Sequence, residues 1–123
     1  MPCPLKPNTK KIKPSITKDG SIIRELMHPA VHGNSEQNLS EATVPVGGKT
    51  FLHKHRVTEE IYHITEGSGI MALGFEEFEV RKGDSIRIPP GTPHGIRNTG
   101  KEQLKILCCC APAYSHEDTE LMG

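Results

Sequence analysis

The sequence lacks an excess of charge of either sign. Fifteen Lys and Arg balance fifteen Asp and Glu over 123 residues, giving a formal net charge of +0 and a pI near 7.0. That balance favours neither nucleic acid nor an anionic membrane surface as a partner. Long hydrophobic runs are missing too. The longest apolar stretch falls far below the ~18 residues of a membrane span, so no membrane association is expected. The basic segment 1–13 has no apolar core of the kind a secretory signal carries, and the expected location is the cytoplasm. Cysteine is scarce and poorly spaced: Cys3 stands alone, and Cys108, Cys109 and Cys110 are consecutive. This gives neither a CxxC metal motif nor a disulfide framework, and sequence neighbours bridge only with strain. Reduced thiols are the expectation. No window of twelve or more residues shows a capped 3.6-residue apolar period, so little helix is expected, at most a short turn within Ser115–Leu121. No internal repeat or second domain is evident.

What is present is a chain of single-domain size, long enough to bury roughly two-thirds of its unfolded surface. Residues 1–18 carry Pro2, Pro4, Pro7 and Pro14 with five lysines and read as a flexible arm. From Ser21 onward, short apolar stretches alternate with Gly, Pro, Asn and Asp. Ile22–Met27, Ala42–Val46, Lys49–His55, Glu60–Glu66, Gly69–Leu73, Phe78–Val80, Ser85–Pro89, His94–Asn98 and Leu104–Cys110 suit strands. Strands at this spacing predict an all-β sandwich or barrel. The barrel is expected over 19–113, with 114–123 as a tail.

The chemistry starts at His53-Lys54-His55. Residues i and i+2 of a strand face one side, so both imidazoles point the same way. Continued backward, the same alternation puts Lys49 and Phe51 on the histidine face and Thr50 and Leu52 on the other. Alone, such a pair reads better as two satisfied histidines without a metal. Arg56 to Glu59 forms a short polar turn that lets the chain reverse and bring Glu60 beside the histidines. A carboxylate buried there is costly unless it is paired or bound to a cation; the alternative is that Glu60 is a solvated turn residue. The Pro89-Pro90-Gly91-Thr92-Pro93 segment is a stiff elbow, with φ fixed at each proline and Gly91 free to take positive φ, which aims His94 inward.

Gly47-x5-His53-x-His55-x4-Glu60-x6-Gly67 resembles the first cupin motif, and Gly83-x5-Pro89-x-Gly91-x2-His94-x3-Asn98 resembles the second. Every anchor is filled, with fifteen residues between the motifs. The resemblance implies a single cupin jelly-roll β-barrel (a double-stranded β-helix) with motifs at 47–67 and 83–98. It also implies a metal held by His53, His55, Glu60 and His94. Three imidazoles and one carboxylate suit Mn, Fe, Co, Ni, Cu or Zn better than Ca or Mg. Four protein ligands leave two octahedral positions free for a substrate with adjacent oxygens, where the metal would polarise a carbonyl or acidify a C–H.

Around these ligands, Tyr62 shares the Glu60 face as a candidate proton donor or substrate anchor, or as a pocket-lining aromatic. Lys49 is a candidate anion binder, or snorkels from the barrel mouth. Asn98 is expected to close a turn. His28, His32, His63 and His116 are read as non-ligands; Pro29 argues against a helical His28–His32 pair. Alternation groups Leu104, Ile106, Cys108 and Cys110 on one face. The cysteines there are either small buried hydrophobes or a thiolate near the metal.

The leading expectation is a metal-dependent isomerase or lyase on a small oxygenated metabolite such as a sugar derivative. The alternatives are an Fe(II)-dependent dioxygenase and a non-catalytic small-molecule-binding cupin. Outward-facing Ile61 and Leu107 predict a homodimer by sheet packing or exchange of N-terminal strands. The chain has no room for a fused DNA-binding helical domain, so no nucleic-acid partner is expected.

Overall fold

The computed structural model describes residues 6–122. The start of the expected arm, Cys3 included, lies outside the described residues. Two antiparallel sheets face each other. The first contains β1 (Ser15–Ile16), β2 (Ile22–Met27), β3 (Asn38–Val44), β5 (Glu59–Glu66), β8 (Ser85–Ile88) and β10 (Leu104–Ala111), in the order β1-β2-β3-β10-β5-β8. The second contains β4 (His53–His55), β6 (Ser68–Leu73), β7 (Glu76–Arg81), β9 (His94–Asn98) and β11 (Thr119–Leu121), in the order β11-β4-β9-β6-β7. This is the jelly-roll arrangement that the cupin resemblance implied, where the strand pattern alone predicted a sandwich or barrel. A four-residue helix, α1 (Pro29–His32), follows β2.

Register explains where the core ends and the site begins. On β10, Leu104, Ile106, Cys108 and Cys110 are buried, and alternate residues face outward. Ile106 lies between Ala42 and Ile64, Cys108 between Ser40 and Tyr62, and Cys110 between Asn38 and Glu60. The inner face therefore turns from aliphatic to polar along the strands. At the aliphatic end Val44, Ile64, Met71, Val80, Ile96 and Leu104 close the core. Burying each such large side chain contributes about 1.5–3 kcal/mol.

Several segments differ from the sequence expectation. Ala42–Val46 is β3 (Asn38–Val44), which starts earlier because Asn38 and Leu39 pair with Cys110 and Cys109. Ser15–Ile16, within the expected arm, pair with Ile23 and Ile22. Thr119–Leu121, within the expected tail, pair with His55, Lys54 and His53. Pro29 does not exclude a turn of helix between His28 and His32. It stands at the first helical position, where no N–H is required, and the His28 ring caps the helix by accepting from Ala30 N at 3.0 Å.

Lys49–His55 is the largest departure. Only His53–His55 form a strand. Thr50 still bonds Ile96, its N–H to Ile96 O at 2.9 Å and its hydroxyl accepting from Ile96 N at 3.0 Å. Phe51 N then turns to Asp19 O at 2.6 Å, and residues 51 and 52 leave the ladder. Both are exposed, whereas Thr50 and His53 are buried. The alternation slips by one residue, and Lys49 loses the histidine face.

Candidate metal centre

Three strands deliver the four motif residues. His53 and His55 sit two apart on β4 and point inward together. His94 opens β9 and is directly paired with His53. Gly91, at φ +75°, lets the preceding elbow turn, and Gly91 N donates to His55 O at 2.6 Å. Glu60 arrives from the next strand after a turn that Asp118 organises. The Asp118 carboxylate accepts Val57 N at 3.1 Å and Thr58 N at 3.1 Å.

The ligand nitrogens of His53, His55 and His94 all lie within 4.8 Å of one another, and all three residues are buried. Glu60 Oε1 is 3.3 Å from His55 Nε2 and 3.5 Å from His94 Nε2. Two donors bonded to one ion at about 2.1 Å stand about 3.0–3.4 Å apart. The spacing matches a shared cation.

The outer nitrogens fix the tautomers. His53 Nδ1 meets Phe51 O at 2.7 Å and His94 Nδ1 meets Thr92 O at 2.9 Å. A carbonyl only accepts, so both Nδ1 atoms carry the proton. His55 Nδ1 meets Thr119 Oγ1 at 3.0 Å. That hydroxyl spends its own proton on Ser115 O at 2.9 Å, so it too accepts from the ring. Each neutral imidazole therefore turns an Nε2 lone pair inward. Glu60 Oε1 and His94 Nε2 are buried with no hydrogen-bond partner among the described residues. Buried acceptors facing acceptors call for a positive charge between them, so the donor set fits a divalent transition metal.

The electrostatics agree. Burial alone raises the Glu60 carboxyl, but its contacts with His55 and His94 outweigh that and hold it at about 2. That lowering needs positive charge at the facing nitrogens, a proton or a metal ion in its place. Burial, followed by the neighbouring His94, lowers His53 despite the pull of Asp19. Burial and the Glu60 charge hold the Tyr62 phenol protonated, well above its ordinary range. Burial likewise pushes the Cys108 and Cys110 thiols up. Cys110 Sγ donates to Glu60 Oε2 at 3.3 Å, as a thiol rather than a thiolate. Cys109 faces outward between Leu39 and Ile61.

His53, His55, Glu60, Tyr62, Cys108 and Cys110 line one pocket of about 210 Å³. Tyr62 faces it, its ring 6.0 Å from that of His94. Lys49 does not. It lines a separate surface groove with Glu77 and Arg97, because of the slip at residues 51–52. Asn98 closes its turn by donating to Val44 O at 3.0 Å and Glu102 O at 2.8 Å. Among the other histidines, His63 is exposed and bonds Ser85 Oγ at 2.8 Å. His28 bonds Tyr114 O at 2.9 Å.

Sequence reasoning missed three contributors: Asp19, Asp118 and Thr119. Asp19 Oδ2 lies 3.3 Å from His53 Nε2. A signal for it existed, since Asp19-Gly20 is a turn pair flanked by Ser15-Ile16 and Ser21-Ile22. Asp118 and Thr119 stand in a short polar segment with no strand period to mark them.

The comparisons agree with this geometry. A family model described as a cupin domain matches residues 40–110. An uncharacterized protein of Methanocaldococcus jannaschii, MJ1618, is 62% identical over 118 residues, covering 96% of this chain and 94% of that protein. The crystal structure of a predicted oxalate decarboxylase from Thermotoga maritima superposes with a TM-score of 0.75 at 25% identity, over 85% of this chain and 96% of its own. The polyketide cyclase RemF of Streptomyces resistomycificus superposes with a TM-score of 0.80 at 24% identity, over 96% and 84%.

Proposed function

Since the chain belongs to the cupin domain family, we propose that it is a metal-dependent enzyme of isomerase or lyase type, acting on a small oxygenated metabolite such as a sugar derivative. Its ligands are His53, His55, Glu60 and His94. The observation that carries this reading is the three buried histidine nitrogens within 4.8 Å of one another, with the buried Glu60 carboxylate against two of them. A divalent transition metal held there supplies a Lewis acid for a carbonyl oxygen or an adjacent C–H. Tyr62, neutral and facing the pocket, is the group on this chain suited to donate a proton to, or anchor, a substrate oxygen.

The wall narrows the substrate. Asp19, Glu25 and Glu60 face the pocket, and no Lys or Arg lines it among the described residues. Hydroxyls of Ser40, Thr50 and Tyr62 alternate there with the apolar surface of Ile23, Ile96 and Ile106. Dianions such as oxalate or phosphorylated sugars find no countercharge beyond the ion, so an uncharged, oxygen-bearing molecule suits the wall better. No helix of the described residues is long and apolar enough to cross a membrane.

Elemental analysis of the purified full chain tests the reading. One equivalent of transition metal is expected in the wild type, and sharply less in the His53→Ala/His94→Ala double variant. Equal metal in both would overturn it. Zn or Mn with anaerobic turnover fits the isomerase or lyase; Fe(II) with oxygen uptake would replace it by the dioxygenase.

A further inference from the structure

Asp19 sits at the tip of the β1–β2 hairpin, where Gly20 N donates to Thr17 O at 2.9 Å. Gly20 takes φ +88° and lies against the Phe51 ring, where a Cβ would come within 3.3 Å. The tip is pinned twice, to the segment before β4 and to β11: Phe51 N donates to Asp19 O at 2.6 Å, and Lys18 Nζ donates to Thr119 O at 2.7 Å. These contacts hold a carboxylate in a buried position facing the imidazoles.

The two oxygens of Asp19 are used differently. Oδ1 accepts Thr17 Oγ1 at 2.7 Å, Ser21 N at 2.9 Å and Ser21 Oγ at 2.6 Å. Oδ2 is turned to His53 Nε2 at 3.3 Å. In the tautomer that Phe51 O fixes, that nitrogen presents a lone pair, so two acceptors face each other. The separation equals that of Glu60 Oε1 from His55 Nε2, also 3.3 Å. Glu60 approaches the triad from the His55 and His94 side and Asp19 from the His53 side.

We infer that Asp19 is a fifth protein ligand of the metal centre, brought to it by the N-terminal hairpin. This rests on the four-residue metal reading above and extends it beyond the two motifs. It also closes the charge. Three neutral imidazoles and one carboxylate leave a divalent ion with a net positive charge in a buried site, and the second carboxylate cancels it. One fewer coordination position then stays open, and a substrate presenting two oxygens must displace the Asp19 carboxylate.

The test loads the full-length wild type and Asp19→Asn with Co(II) and measures affinity by chelator competition and coordination by visible absorption. Asn keeps the size of the side chain and an oxygen for the Thr17 and Ser21 donors. At least about tenfold weaker binding, with a changed band intensity, is expected. Circular dichroism of the metal-free chains checks that the fold is kept. Should Asp19→Asn fail to fold, Asp19→Glu, which retains the charge but displaces the oxygen by one methylene, is read for the same change in the Co(II) band. Unchanged affinity and spectrum in a folded variant would overturn the Asp19 assignment alone, leaving a carboxylate that only holds the hairpin. Failure of the wild type to bind Co(II) would overturn the four-ligand reading and this one together.

Discussion

At the scale of single residues, the site depends on which nitrogen of each histidine carries the proton. Thr119 settles this for His55 through a hydroxyl that accepts at 3.0 Å. Thr119→Val keeps the shape and removes the acceptor, freeing the ring to take the other tautomer. Metal affinity is expected to fall about tenfold with the fold retained, as calorimetric titration of the metal-free variant will read. The pH dependence also follows from residues. Glu60, held at about 2, stays ionised throughout the neutral and mildly acidic range. Loss of metal on acidification is therefore set by protons competing for imidazoles of intrinsic pKa ~6.5. Because His53 is lowered, the unfolded chain takes that proton before the folded chain does. Its contribution to stability is full above the unfolded value and is lost as pH falls through the folded one. Metal retention and the melting temperature should both drop below about pH 6; constancy of both down to pH 5 would contradict this. All four motif residues were legible in the sequence, because strand parity and a proline elbow are local properties. Lys49 was misread because parity was carried through residues 51 and 52, where Phe51 leaves the ladder for Asp19. Nothing near residue 49 announces that partner.

At the scale of elements, the strand pattern was legible wherever one face is buried. Ile22–Met27 and His94–Asn98 have the expected bounds. Termini shifted where the pairing partner, rather than the strand's own composition, decides, as for β3 against β10. β11 escaped notice because three residues with only Thr119 buried carry no period. The aliphatic end of the barrel is closed by side chains such as Ile64, fully buried on β5 beside Ile106. Ile64→Ala should cost about 2–5 kcal/mol, the transfer loss plus the cavity left behind. Denaturant unfolding of the metal-free protein measures it. A cost under 1 kcal/mol would mean that this end is loosely packed.

For the whole molecule, the outer face of the first sheet matters. Leu39, Cys109 and Ile61 form a row across β3, β10 and β5, and Leu39 and Ile61 are 38% and 46% exposed. Leu107, between Glu41 and His63, extends the patch. We propose that a second copy packs on this face and covers the row in a two-fold arrangement. Light scattering at micromolar concentration is expected to give twice the chain mass, and Ile61→Glu to halve it. A wild-type monomer would remove the proposal.

The 64-residue separation between His55 and Thr119 has a consequence for the order of synthesis. Both sequence motifs emerge from a ribosome well before residue 119 does. A nascent chain halted after β10 already holds every motif ligand, yet the His55 ring is free to choose its tautomer. Asp118, which braces the turn leading to Glu60, is also still missing. On the proposed metal reading, full affinity therefore waits for the last strand, and a chain that lacks it is expected to bind the ion more weakly.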